Sequence, residues 1–381
     1  MQSVSQNGPN KLLQEATTIG SVELCRLAIQ SGAIEFDLML ESAAERGHES
    51  LCILAKEWGA MDFNNMLEHA AKGGHENICR LAKEWGANNF NKMLYHAATN
   101  GNKSLCILAK EWGAKHFDRM LFNAAYEGHK SLCILAREWG ATYMNSMLNS
   151  ASKGGHIEIC KLAKEWGATN FNVMFDNAIL NGNEDICKLS KEWDVVHDFD
   201  KMLKIAAKEG HKNLCILARE WGATNFNTML SGAAEKGHES ICRLSKEWGA
   251  NKFNNMLEIA AAEGHEPICI LAKEWGATNF NGMLQYATMQ GHENLCILAK
   301  EWGATEFENM LSTAASEGHK SLCMLAKEWG AKDFENMLEC AEGEGYEDIC
   351  RLAKEWGANN FDDPDIKSST DVSGSTSESD Y

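Results

Sequence analysis

The chain is 381 residues long, with 36 Lys+Arg against 54 Asp+Glu and a formal net charge of -18. An anionic surface of this kind repels phosphate backbones, which sets nucleic acid aside as a partner. No apolar run approaches the ~20 residues of a membrane helix, and the opening MQSVSQNGPN lacks the basic start and apolar core of a signal peptide.

In chain order, residues 1–8 read as a flexible lead, residues 9–361 as one elongated repeat array, and residues 362–381 as a disordered acidic tail. All twelve tryptophans, from Trp58 and Trp85 to Trp356, fall 27 residues apart, except for one step of 28 between Trp193 and Trp221. Self-similarity at such a period is the mark of a stacked solenoid. Thirteen of the 14 cysteines keep the same beat. Neighbouring copies would lie roughly 8–10 Å apart, beyond the ~7 Å between Cα atoms that a disulfide spans. Reduced thiols and a cytoplasmic location are therefore expected.

The first copy, Pro9 to Ala33, has Ser31 in place of Trp and Gly20-Ser21 in place of Gly-His, as suits a capping repeat. A regular copy, Phe63 to Asn89, reads FNNMLEHAAKGGHENICRLAKEWGANN. Met66, Leu67, Ala70 and Ala71 recur at helical spacing, and Asn64 stands where an N-cap belongs. A second helix carries Ile78, Cys79, Leu81, Ala82 and Trp85 inward and stops at Gly86, placed for a left-handed C-cap. Each repeat is thus a helical hairpin with more bulk than it can bury alone, so stacking is obligatory. The Trp is expected as a core staple, the Lys83-Glu84 step before it as a solvated edge, and the helix-start His as a bond to its own loop.

The run MLEHAAKGGHENICRLAKEWGA resembles the ankyrin repeat, whose first helix carries a TPLHxAA motif, followed by Gly-His, an apolar second helix and a closing Gly-Ala. Leu67, Ala70, Ala71, Gly74, His75, Ile78, Leu81, Gly86 and Ala87 match it in order. The resemblance covers about 13 copies. It implies an all-α, α-solenoid array of helix-turn-helix repeats. Three features depart from the pattern: Asn65-Met66 replaces Thr-Pro, Trp replaces the small or aliphatic residue before Gly, and the period is 27 instead of about 33. The shortfall lies between repeats, which implies shortened inter-repeat loops. EWGA-type arrays are also similar to those abundant in giant DNA viruses, which would make the location host cytoplasm.

Within a fixed framework, positions two, five, six, nine and ten residues after the Phe vary freely, and they cluster on one side of the first helix. The resemblance places that side on a partner-binding face. Tyr95, His96, Phe122 and Tyr126 form the densest aromatic group there, and Ile205, Ile259 and Tyr286 a second, weaker apolar patch. Farther on, Phe175, Ile179, Leu180 and Asp194 break the pattern around the 28-residue step, and a local kink is one reading of that irregularity. The tail's serines beside acids suit an acidophilic kinase, although simple solubilisation is the plainer role.

Catalytic chemistry is not indicated. His75/Cys79 and its copies share a helical face, but a zinc site wants four close-set ligands, and Asn102, Asn183 and Tyr346 replace the His without evident compensation. No phosphate loop follows a strand. The expectation is a monomeric, cofactor-free scaffold that binds a protein partner, with no metal, nucleic acid or membrane involved. A spacer rod or an adaptor to a larger complex is the alternative.

Overall fold

The computed structural model describes residues 7–193 and 198–358. These hold 26 α-helices in hairpin pairs, with no strand among the described residues. The chain divides into two compact units, Met1–His197 and Asp198–Tyr381, and the division falls inside the 28-residue interval. Each unit is an α-solenoid of helical repeats. No helix among the described residues is long and apolar enough to cross a membrane. The first helix, Asn7–Ile19, already includes Asn7 and Gly8 from the segment expected to be flexible. Asp194 and the tail 362–381, where a changed cap, disorder and phosphorylation were expected, lie outside the described residues.

A regular repeat pairs a first helix such as Phe63–Gly73 with a second such as Glu76–Glu84. Met66, Leu67, Ala70, Ala71, Ile78, Cys79 and Ala82 are buried completely or almost so, as their periodicity requires. The first helix ends at Gly74 with φ 83°, while His75 N–H reaches back to the Ala70 carbonyl at 2.8 Å. The second ends with Trp85 in right-handed geometry and Gly86 at φ 109°, the left-handed position expected for it. Successive first helices pack closely, whereas successive second helices barely touch.

Three sequence expectations need correction, all because the relevant bonds run between repeats. Asn64 is not an N-cap. The helix begins two residues earlier than that cap would allow, at Phe63, and Asp62 is the cap, accepting the Asn65 N–H at 3.0 Å. Asn64 Oδ1 instead accepts the N–H groups of Asn88 and Asn89, at 2.9 and 3.0 Å, in the loop that opens the next repeat. Asp37, Asn91, Asp118, Asn145, Asp200, Asn227, Asn254 and Asn281 make the same pair of bonds. An acceptor oxygen within reach is all this bracket needs, so Asn and Asp interchange there, and Glu308 serves the N–H groups of Lys332 and Asp333 with its two oxygens, at 2.9 and 3.1 Å.

The tryptophans are not core residues; all are half-buried. Trp85 lies edge-on to Phe63 of its own repeat, with ring centroids 5.4 Å apart. Lys56 of the preceding repeat sits over its other side, 4.3 Å from the centroid. Lys83 covers Trp112 in the same way, Arg137 covers Trp166 and Lys246 covers Trp275. The residue two before each Trp is therefore a cation–π partner for the next Trp, not merely a solvated edge. Bulky ring and aliphatic stem fill the gap that the splayed second helices leave.

The histidine bonds the preceding repeat rather than its own loop. His75 Nε2 donates to the Glu45 carbonyl at 3.0 Å, His129 to Thr99 and His156 to Tyr126. Its ring lies against the left-handed glycine of that repeat: a Cβ placed on Gly47 would fall 2.7 Å from His75 Cε1. The substitutions are compensated. Asn183 Nδ2 donates to the Ser152 carbonyl at 3.0 Å, and where Asn102 turns to cap its own helix, Asn100 Nδ2 takes the Lys72 carbonyl at 2.6 Å. Tyr346 packs its ring on Gly318. All described cysteines are free thiols, and burial pushes Cys52, Cys79 and Cys106 up to about 12.

Candidate partner-binding face

The variable positions lie along the outward side of the first helices, and their side chains interact one repeat to the next. In the N-terminal unit the pattern begins as charge. His69 Nδ1 meets Glu45 at 2.8 Å, Lys72 meets the same carboxylate at 2.9 Å, and Glu41 accepts from Asn65 Nδ2 at 2.8 Å. The Lys72 hydrogen bond, followed by that of His69, holds the Glu45 carboxyl below the usual carboxylate range. One repeat later Glu68 is bridged by Lys92 at 2.6 Å and His96 at 3.0 Å. Burial pushes its carboxyl up, but the hydrogen bonds from Lys92 and His96 together outweigh burial and leave it lowered.

Then the pattern changes. His96 finds its acceptor 28 residues back, on Glu68, and Asn177 finds one at the same offset, on Asn149. For Asn123 and Ser150 the residues 28 back are Tyr95 and Phe122, rings without an acceptor in that place. Asn123 Nδ2 and Ser150 Oγ accordingly meet no hydrogen-bond partner although both are buried. Leaving a buried polar group unpaired costs about 1–3 kcal/mol, so the aromatic substitutions come at the expense of stability.

The structure places Tyr95 against His96, with centroids 4.9 Å apart, and sets the Arg119 guanidinium over the Tyr95 ring at 4.7 Å. Glu68, Lys92, Tyr95, His96, His116 and Arg119 line an open cavity of about 360 Å³. A second, mainly apolar cavity of about 420 Å³ adjoins it and is lined by Lys115, His116, Phe117, Arg119, Phe122 and Tyr143, among others. His116 and Arg119 belong to both walls. Phe122 is 43% exposed and Tyr126 46%. Tyr126 lines neither cavity and stands next along the same helix.

Sequence reasoning missed Tyr143, 63% exposed, as well as His116 and Arg119. Tyr143 and His116 occupy the position just before the Phe, where neighbouring copies hold Asp62, Asn89 and Asn170. That variability was a usable signal, lost by counting from the Phe onward. In the second unit, Ile259 and Tyr286 line one cavity of about 280 Å³ with Glu235, Glu258 and Glu263 at its rim. Ile205 does not join them. It is half-buried two repeats earlier, and the repeat between carries the buried Gly232 at the equivalent position. The second patch is therefore smaller than expected and ringed by acids.

Around the step of 28, Phe175 and Ile179 are buried in the core and Leu180 is 48% exposed. No group of three or more metal-ligating side chains is gathered among the described residues. No protein-family model matches the chain, and no curated protein matches it either.

Proposed function

We propose that this chain is a non-enzymatic, ankyrin-like binding protein that captures a protein partner on the variable side of its first helices. The observation that carries this reading is the aromatic group on consecutive repeats, Tyr95, Phe122, Tyr126 and Tyr143. The rings of Phe122, Tyr126 and Tyr143 are exposed to solvent while two buried polar groups beneath go unpaired. Solvent-facing aromatics of this density are what interface hot spots are made of. A chain selected only for stability would keep the Glu68 or Asn149 type of acceptor at those positions. Repetition of the remaining framework argues against a catalytic centre, which needs one singular arrangement of groups. Free buried thiols support a reducing compartment such as the cytoplasm, of a host cell if the chain is viral.

The test is proximity labelling in the native cell with the full chain and with Tyr95, Phe122, Tyr126 and Tyr143 all changed to Ala. Helical circular dichroism checks that the variant is folded. The reading requires a defined set of proteins to lose labelling in the variant. Identical labelling by both chains, with the variant fully helical, would sink it.

A further inference from the structure

We propose that the paired cavities around Arg119 form a receptor for an acidic peptide segment of the partner, with a carboxylate on the Arg119 guanidinium and a large apolar side chain between Phe122 and Tyr143. The inference rests on the protein-binding reading and specifies the chemistry of what is bound.

Charge is the first argument. The chain carries a net -18, yet the shared wall and rim of these cavities bring together Lys115, His116 and Arg119. Two acids line the same cavities, and each already has partners. Glu68 is held by Lys92 and His96, and Asp118 Oδ1 accepts the backbone N–H groups of Thr142 and Tyr143, at 2.6 and 3.0 Å. Neither Lys115 nor Arg119 forms an ion pair among the described residues. With Lys92, Lys115 and Arg119 set against Glu68 and Asp118, the lining keeps a net positive charge on an otherwise anionic protein, which favours an acidic ligand and disfavours basic ones.

Pre-organisation is the second. The Arg119 guanidinium already rests over the Tyr95 ring, 4.7 Å from its centroid, so it gives up less side-chain freedom on meeting a carboxylate than a free arginine would. Tyr143 is held too, because the Asp118 bracket grips the backbone at that residue. Size is the third. At about 420 Å³ the Phe122 cavity is large enough to accept a bulky side chain, and its wall is mostly apolar. Side by side, the two cavities match an acid close in sequence to an aromatic or large aliphatic residue. The cavity of the second unit lies farther along its first helices and is lined by Glu235, Glu258 and Glu263, of which only Glu235 is bridged by a lysine among the described residues, Lys208 at 2.6 Å, so its chemistry is of the opposite sign.

Random dodecapeptides displayed on phage are panned on the full chain, with a chain carrying Arg119→Gln and Phe122→Ala as counter-selection. The expected consensus is Asp or Glu within a few residues of an aromatic or large aliphatic residue. The best peptide, labelled with a fluorophore, should then bind the full chain with an affinity that falls as salt rises. Arg119→Gln should weaken it about tenfold or more, Arg119→Lys nearly as much because the fork is lost, and Phe122→Ala similarly. Met324→Ala, at an exposed position on a second helix outside both patches, should leave it unchanged. Basic or neutral consensus peptides, no enrichment over the counter-selection, or indifference to Arg119→Gln would each overturn the proposal. Labelled oligouridylate that binds through Arg119 would assign the site to nucleic acid, and self-association abolished by Arg119→Gln would assign it to a second copy. If Arg119→Gln leaves the native labelling intact while the quadruple Ala variant abolishes it, this inference fails and the protein-binding reading stands.

Discussion

Replacing Asp118 by Ala removes a single side-chain oxygen that serves two backbone N–H groups, those of Thr142 at 2.6 Å and Tyr143 at 3.0 Å. Bonds to a charged acceptor are worth about 1.5–3 kcal/mol each, but these are solvent-accessible and share one oxygen, so the pair together stabilises the loop by about 1–2 kcal/mol. The effect should be local, because global unfolding of a repeat array need not be two-state. Hydrogen–deuterium exchange of a peptide covering Trp139 to Ser146 reads it directly. An opening made easier by 1–2 kcal/mol speeds exchange of the bracketed amides roughly 5- to 30-fold. Asp118→Asn keeps an oxygen in the same place, as Asn91 and Asn145 do for their own loops, and should exchange within about threefold of the parent. Unchanged exchange in Asp118→Ala, or an Asn variant as fast as the Ala variant, would refute the bracket.

Gly47→Ala should destabilise the array more than Gly59→Ala. Both residues have positive φ, worth about 1–2 kcal/mol for an L-residue, but only at Gly47 does a Cβ meet another atom, His75 Cε1 at 2.7 Å. The excess should vanish in a His75→Ala background, as read by denaturant midpoints. Alkylation of the native chain at neutral pH should be confined to the half-buried Cys340 and Cys350. Cys79, pushed up to about 12, and its fully buried counterparts, all raised by burial, should react only after unfolding, as intact mass will show. Glu68 has a lowered folded-state pKa, so its contribution to stability is present above the ordinary carboxylate pKa of about 4 and is lost as pH falls through the folded value. Glu68→Gln should therefore lower the melting temperature at neutral pH and narrow the gap to the parent as acid is added.

The hairpin architecture was legible because its signals are local. Met66 and Ala70 share a helical face by spacing alone, and Gly86 declares its left-handed backbone by being the residue that adopts it cheaply. What escaped was every bond with its partner in another repeat. Asn64 looks like a cap because its own neighbours are all a sequence window shows, while the amides it serves lie 24 and 25 residues on. Trp85 looks like core because Trp is large and apolar, and only the Lys56 stem from the repeat before shows how it stays half-buried. Of the candidate site, Tyr95, His96 and Phe122 were found from internal variation, but the contribution of Arg119 depends on a ring one repeat away. Ile205 was grouped with Ile259 by register alone, and the buried Gly232 between them breaks the patch.

The joints between repeats have a direction. Asn64 and Lys56 reach forward, while His75 reaches back and Trp85 waits for a cation from behind. The opening pair of helices retains the forward half: Asn10 accepts from Ile34 N–H at 2.9 Å, and Arg26 covers Trp58. It has dropped the backward half, with Ser31 for Trp, and Ser21, which caps its own helix through Leu24 N–H, for His. Like links with a plug at one end and a socket at the other, regular internal repeats can be deleted or duplicated in whole 27-residue units and the Asn, Trp and His joints still match. A chain restarted at an internal repeat would open on a bare indole and an imidazole with nothing to hold, so length can change freely within the array while its beginning cannot.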